Sequence, residues 1–193
     1  MSDWRGEVLK FWFGLEPERW WKADPELDDE IRRRFLKLWS EQRELPVASF
    51  LDLWSDRHRL PVSSFTGDPL SALAAVILFD QFPRNMFRGH AEQFATDPLA
   101  LGVAAAAVDA KLDDQLEPAE RGFLYMPFQH SEDLADQRRS VGLFTALGDE
   151  HLLGYARKHH DIIERFGRFP HRNAILGRSP RPAETAAGEV VPW

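Results

Sequence analysis

From Leu70 to Phe79 nearly every residue is apolar, with no polar face along the stretch. A helix of that kind must be buried on all sides. Other segments show the three-or-four spacing of an amphipathic helix, as at Leu152, Ala156, His159, Ile163 and Phe166. Residues 99–108 are small and apolar, with five alanines, which lets a neighbouring helix approach closely. Four segments open on an acid followed by proline: Asp24-Pro25, Asp68-Pro69, Asp97-Pro98 and Glu117-Pro118. An Asp in that position can cap free amides, and proline at the first helical position loses no hydrogen bond. No Asn-Gly hairpin signal and few period-two runs compete with this pattern. Helices are predicted over about 3–13, 25–43, 47–56, 69–82, 98–112, 118–126, 130–147 and 149–166, with a short one near 182–189. The fold class is all-α, an antiparallel helical-hairpin stack of about eight helices in a single domain over residues 1–193.

Composition narrows the functional classes. With 193 residues the chain can bury roughly 70% of its unfolded surface without a staple. Cysteine is absent, which removes disulfides, thiolate metal sites and cysteine nucleophiles and suits a reducing cytoplasm. No apolar run approaches the ~20 residues of a membrane span, so no membrane contact is expected. The net charge of -7 argues against general duplex binding. Residues 157–181 nonetheless carry seven Lys or Arg against two acids, leaving -12 on the rest of the chain. RNA contact through Arg165 to Arg181, with Phe166 and Phe169 as stacking rings, is set aside because the chain is acidic and those rings read as buried. Six of the seven tryptophans fall within the first 54 residues, where they read as core.

One signature is written twice, 87 residues apart: Phe79-Asp80-Gln81-Phe82-Pro83-Arg84-Asn85, then Phe166-Gly167-Arg168-Phe169-Pro170-His171-Arg172-Asn173. Each copy ends an apolar helix and follows it with polar groups set against Phe and Pro. Asp80 sits where a helix C-terminus disfavours a carboxylate, so a cation is expected beside it, and Arg84 is the local partner. His130 is read as opening a helix with Leu134, Arg138 and Val141 on its face; Glu132 and Asp133 suit that first turn. His130-x-Glu132 is half of a zinc-deaminase pattern whose cysteine pair cannot exist here, so neither metal nor cofactor is expected. Arg168, His171, Arg172, Asn173 and Arg178 follow the second apolar helix, where converging guanidinium groups would hold a carboxylate or phosphate. No nucleophile or phosphate-loop motif appears, which leaves acid–base chemistry by His130, His159 or His171 beside Glu132, Asp80 or Asp161.

The runs Leu78 to Asn85, Phe94 to Asp97, Tyr125 to Glu132 and Arg165 to Arg178 resemble an uncharacterised bacterial family, domain-of-unknown-function family 924, from about Val8 to Glu184. The resemblance implies a tetratricopeptide-like superhelix. Its repeats would be degenerate, since the 34-residue pattern is missing. It implies no activity.

The leading reading is a polar cleft that binds a small anionic molecule. Asp80, Gln81, Arg84, Asn85, His130 and Glu132 would form it, with Arg168, His171, Arg172 and Asn173 closing it. Arg84, Arg168 and Arg172 would clamp the anion, Asn85 and Asn173 would orient it, and His130 or His171, tuned by Glu132, would carry any proton. The alternative is a peptide- or protein-binding scaffold in which the polar cluster is a structural network.

Overall fold

A computed structural model describes residues 3–43 and 61–191. The helix expected over 47–56 lies outside them. Every regular element among the described residues is helical, and none is a strand.

Helix α1 (Trp4–Trp12) buries Val8, Phe11 and Trp12. Helix α2 (Pro25–Arg43) starts where the Asp24 carboxylate accepts from the amides of Glu26 and Leu27, at 3.1 and 3.2 Å. It buries Leu27, Ile31, Phe35 and Trp39, a stripe with a four-residue step. Phe82 meets both helices: its ring centroid lies 4.6 Å from Phe35 and 5.8 Å from Trp12. Trp12 and Trp39 are thus core, whereas Trp21 is 54% exposed.

Helix α3 (Pro69–Val76), capped by Asp68 onto the Ser71 amide, is buried from Ser71 to Val76 as the hydropathy pattern requires, whereas Leu70 in its first turn is 49% exposed because it lies at the helix start. It does not stop near residue 82. A π-helical turn, Ile77–Gln81, carries it into α4 (Phe82–Met86). Pro83 explains the widened turn: its ring conflicts with the carbonyl four residues back, that of Phe79, and it has no N–H to offer. The Phe82 amide reaches back five residues to Ile77, and the Thr96 hydroxyl donates to the orphaned Phe79 carbonyl at 2.6 Å.

Helix α5 (Asp97–Asp109) uses its small residues against α3 and α6 (Pro118–His130). The expected break before Pro127 does not occur. Gln137, fully buried, donates to the carbonyls of Gln129 and Ser131, each at 2.7 Å, and this holds the end of α6. His130 therefore closes one helix instead of opening the next. Helix α7 (Leu134–Leu147) begins at the Asp133 cap, and α8 (Glu150–Phe166) at the Asp149 cap. Gly148 and Gly167, at φ +79° and +68°, supply the left-handed turns that end α7 and α8. After Gly167 a 3-10 turn, Pro170–Arg172, and a short α9 (Pro182–Ala187) complete the described chain. The end of α8 and this tail share a small second core of Ile162, Ile163, Phe166 and Phe169.

Candidate functional site

The π turn carries a carboxylate into the core. Asp80 is fully buried. It accepts from the Gln81 amide at 2.5 Å and lies 3.2 Å from an Arg84 guanidinium nitrogen. The His130 Nδ1 stands 2.8 and 3.1 Å from its two oxygens. Arg84 then forks onto Asp97, at 2.9 and 3.0 Å. Arg172 approaches the same Asp97 at 3.6 Å and donates to the His130 backbone carbonyl at 3.0 Å. Its guanidinium is sandwiched between the rings of Phe94 and Phe169, 4.5 Å from each centroid. The two copies of the repeated signature thus meet at Asp97.

Two carboxylates alternating with two guanidinium groups bring no net charge into the interior, which is the condition for burying them. Burial pulls the Asp80 carboxyl upward, but Arg84 and the hydrogen-bonded His130 outweigh it and hold the group at about 2. Burial pushes the Asp97 carboxyl above its ordinary value, with Arg84 opposing and Asp80 adding to the rise; its two-pronged contact with Arg84 is that of a carboxylate. Burial, reinforced by Arg84, lowers His130 against the pull of Asp80. The His130 contact is then a hydrogen bond from a neutral ring, Nδ1–H donating to Asp80, and not an ion pair. That tautomer leaves the lone pair on Nε2, which has no hydrogen-bond partner among the described residues. Burial also depresses Arg172, to about 10, and it stays protonated at neutral pH.

Two further histidines flank this cluster. His159, from α8, has its ring 6.2 Å from that of His130 and gives Nδ1 to the Tyr155 carbonyl at 2.8 Å. Burial holds it at about 3. His171 lies 5.5 Å from Phe169, and burial beside Arg172 lowers it to about 4.

A second network lies along the tail. Glu132 accepts Arg178 at 2.7 and 3.0 Å and the Phe169 amide at 2.7 Å. Arg178 also donates to Asn173, whose amide donates to Glu184 at 2.9 Å. Arg168 forks onto Glu184 at 2.6 and 2.8 Å. These bonds fasten the 168–184 segment to the start of α7.

Of the residues singled out in the sequence, Asp80, Gln81, Arg84, His130 and Arg172 converge. Asn85 turns away and donates to Asp28 at 2.8 Å, beside Arg88. Glu132, Arg168 and Asn173 belong to the tail network, so Asp80 and not Glu132 orients His130. Asp97 is the central residue that sequence reasoning passed over. Read there as a helix cap, it makes no cap bond and serves both arginines instead. Its place in the Phe94-Ala95-Thr96-Asp97 run was the available signal. Among the described residues, the group with metal-ligand spacing is His160, Asp161 and Glu164 on α8, with ligand atoms within 4.8 Å of one another.

No helix among the described residues is long and apolar enough to cross a membrane. The chain is similar to a structurally characterised protein of unknown function from Agrobacterium tumefaciens, with a TM-score of 0.81 and 36% identity over 96% of each chain. No curated protein matches it. The model of a family of bacterial proteins of unknown function (DUF924) matches residues 8–187, and the chain belongs to that family.

Proposed function

We propose that the protein binds a small anionic molecule where His130 and Arg172 adjoin. The observation that carries this reading is the state of Arg172. Arg84 forks onto Asp97, Arg168 onto Glu184 and Arg178 onto Glu132. Arg172 instead has one carbonyl at 3.0 Å, a carboxylate at 3.6 Å, and a buried Nε with no acceptor. A buried guanidinium lacking a two-pronged acceptor is the group that a carboxylate or phosphate on a ligand would complete. The stacked Phe94 and Phe169 rings fix its plane, so little rotamer freedom is lost on binding.

Native mass spectrometry of the purified protein, with thermal melts in small carboxylates and sulfate, tests this. A reproducible added mass or a raised melting temperature is expected for the natural protein and lost in Arg172→Ala. Arg172→Lys keeps the charge without the planar fork and should lose most of the effect. A bare mass together with melts indifferent to every anion would overturn the reading.

A second reading draws on Trp21, which stacks flat on Phe123 at 5.7 Å while 54% exposed. Here the helices hold a partner peptide on that aromatic surface and the polar cluster only locks the fold. It predicts that Arg172→Ala changes stability alone.

A further inference from the structure

We infer that His130 takes up a proton when the anion binds, so that the site admits its ligand as an anion and a proton together. This rests on the anion-binding reading above.

The geometry sets the requirement. Asp80 from the π turn and Asp97 at the start of α5 balance Arg84 from α4 and Arg172 from the 170–172 turn, two charges against two. An anion entering beside them leaves a buried excess of negative charge, and such an excess is costly unless neutralised. A neutral titratable group that can take up a proton supplies the missing positive charge. Three histidines lie close by, and their surroundings differ. His159 gives Nδ1 to a backbone carbonyl, which carries no counter-charge for an imidazolium. His171 adjoins Arg172, whose charge opposes a second positive one. His130 has the Asp80 carboxylate at 2.8 Å, a ready counter-charge for an imidazolium. Burial and Arg84 oppose that charge in the unbound protein, while Asp80 and Asp97 favour it; Arg172 holds the His130 backbone carbonyl, and Glu132 acts on His171. An anion drawn to Arg172 adds negative charge beside that ring and favours its protonated form. A new N–H bond then forms at Nε2 with a proton taken from solvent; no bond in the ligand breaks.

The sign of the pH dependence follows. The bound state holds one proton more than the free state, so binding weakens as pH rises through the bound-state His130 value. The slope is about tenfold per pH unit until that proton is no longer taken up.

Calorimetric titration with sulfate, which carries no proton of its own near neutrality, tests this in two buffers of different ionisation enthalpy. The expected result is an uptake of about one proton per sulfate in the natural protein, absent in His130→Gln. The ring nitrogens of His130, followed by 15N NMR in the natural protein, should both become protonated on adding sulfate; this arm holds even if the variant does not fold. Asp80 is a positioning residue here, and Asp80→Asn should reduce the uptake more than it reduces sulfate binding. Sulfate binding without proton uptake, uptake that persists in His130→Gln, or a His130 ring that stays neutral would overturn the inference and leave the anion site standing. No binding by the natural protein of sulfate, or of the small carboxylates titrated in the same way, would overturn both.

Discussion

Two polar networks lie side by side in this protein, built from the same residue types and left in different states. In the tail network each guanidinium has its carboxylate: Arg168 has Glu184 and Arg178 has Glu132, both forked, and Glu132 remains 28% exposed. In the Asp80 cluster the carboxylates are shared, Arg172 is left incompletely bonded, and a neutral histidine stands at the edge with a free lone pair. A closed network fixes position. An incomplete buried one has a place for something else, and buried groups displaced from their ordinary titration range gather at such sites.

The contrast can be broken most sharply at Asp80. Asp80→Asn leaves Arg84 and the cluster without half of their buried negative charge, and unfolding free energy should fall by roughly 3–5 kcal/mol. Chemical denaturation measures this; a loss comparable to that of a surface ion pair would mean that the cluster is not the buried keystone described here. Next comes acidification. His159 and His171 are held at about 3 and about 4, below their ordinary 6.5. The unfolded chain therefore binds protons first, and stability should fall as pH drops from about 6.5 toward those values. Asp80, held at about 2 against an ordinary 3.8, adds a further loss between those two values. The urea midpoint from pH 8 to about pH 2 follows both limbs, and His159→Gln should flatten the upper one. The smallest effect belongs to the tail. Glu132→Gln keeps the shape and weakens the Arg178 bonds in a half-exposed setting, which should cost about 1 kcal/mol. Anion response should survive it. If Glu132→Gln proved as damaging as Asp80→Asn, the two networks would not differ in kind.

Much of this architecture is legible in the residues. All four acid-proline pairs stand at helix starts, and the apolar run is buried from Ser71 through Phe79, with Leu70 alone left exposed. What failed was punctuation. Pro83 and Pro127 read as stops, yet both lie within helical runs: Thr96 takes the carbonyl that Pro83 releases, and Gln137 holds the end of the helix beyond Pro127. Local rules carry no knowledge of such partners. The same holds for the site. The ion pair between Asp80 and Arg84 could be foreseen because four residues make one helical turn. That Asp97 should serve both arginines, or that Asn85 should face Asp28 57 residues away, depends on how helices cross. The two copies of the signature do come together, but their asparagines do not take part.

The Thr96 hydroxyl has a single proton, and the Phe79 carbonyl receives it. Its lone pairs then accept the Trp39 indole N–H at 3.2 Å. A buried fluorophore is thereby wired to the backbone of the turn that presents Asp80. Any loosening of that turn releases the hydroxyl and alters the electrical surroundings of the indole ring. The protein carries its own optical gauge of the site, and the colour of Trp39 emission, resolved from that of the other six tryptophans, reads it without a label.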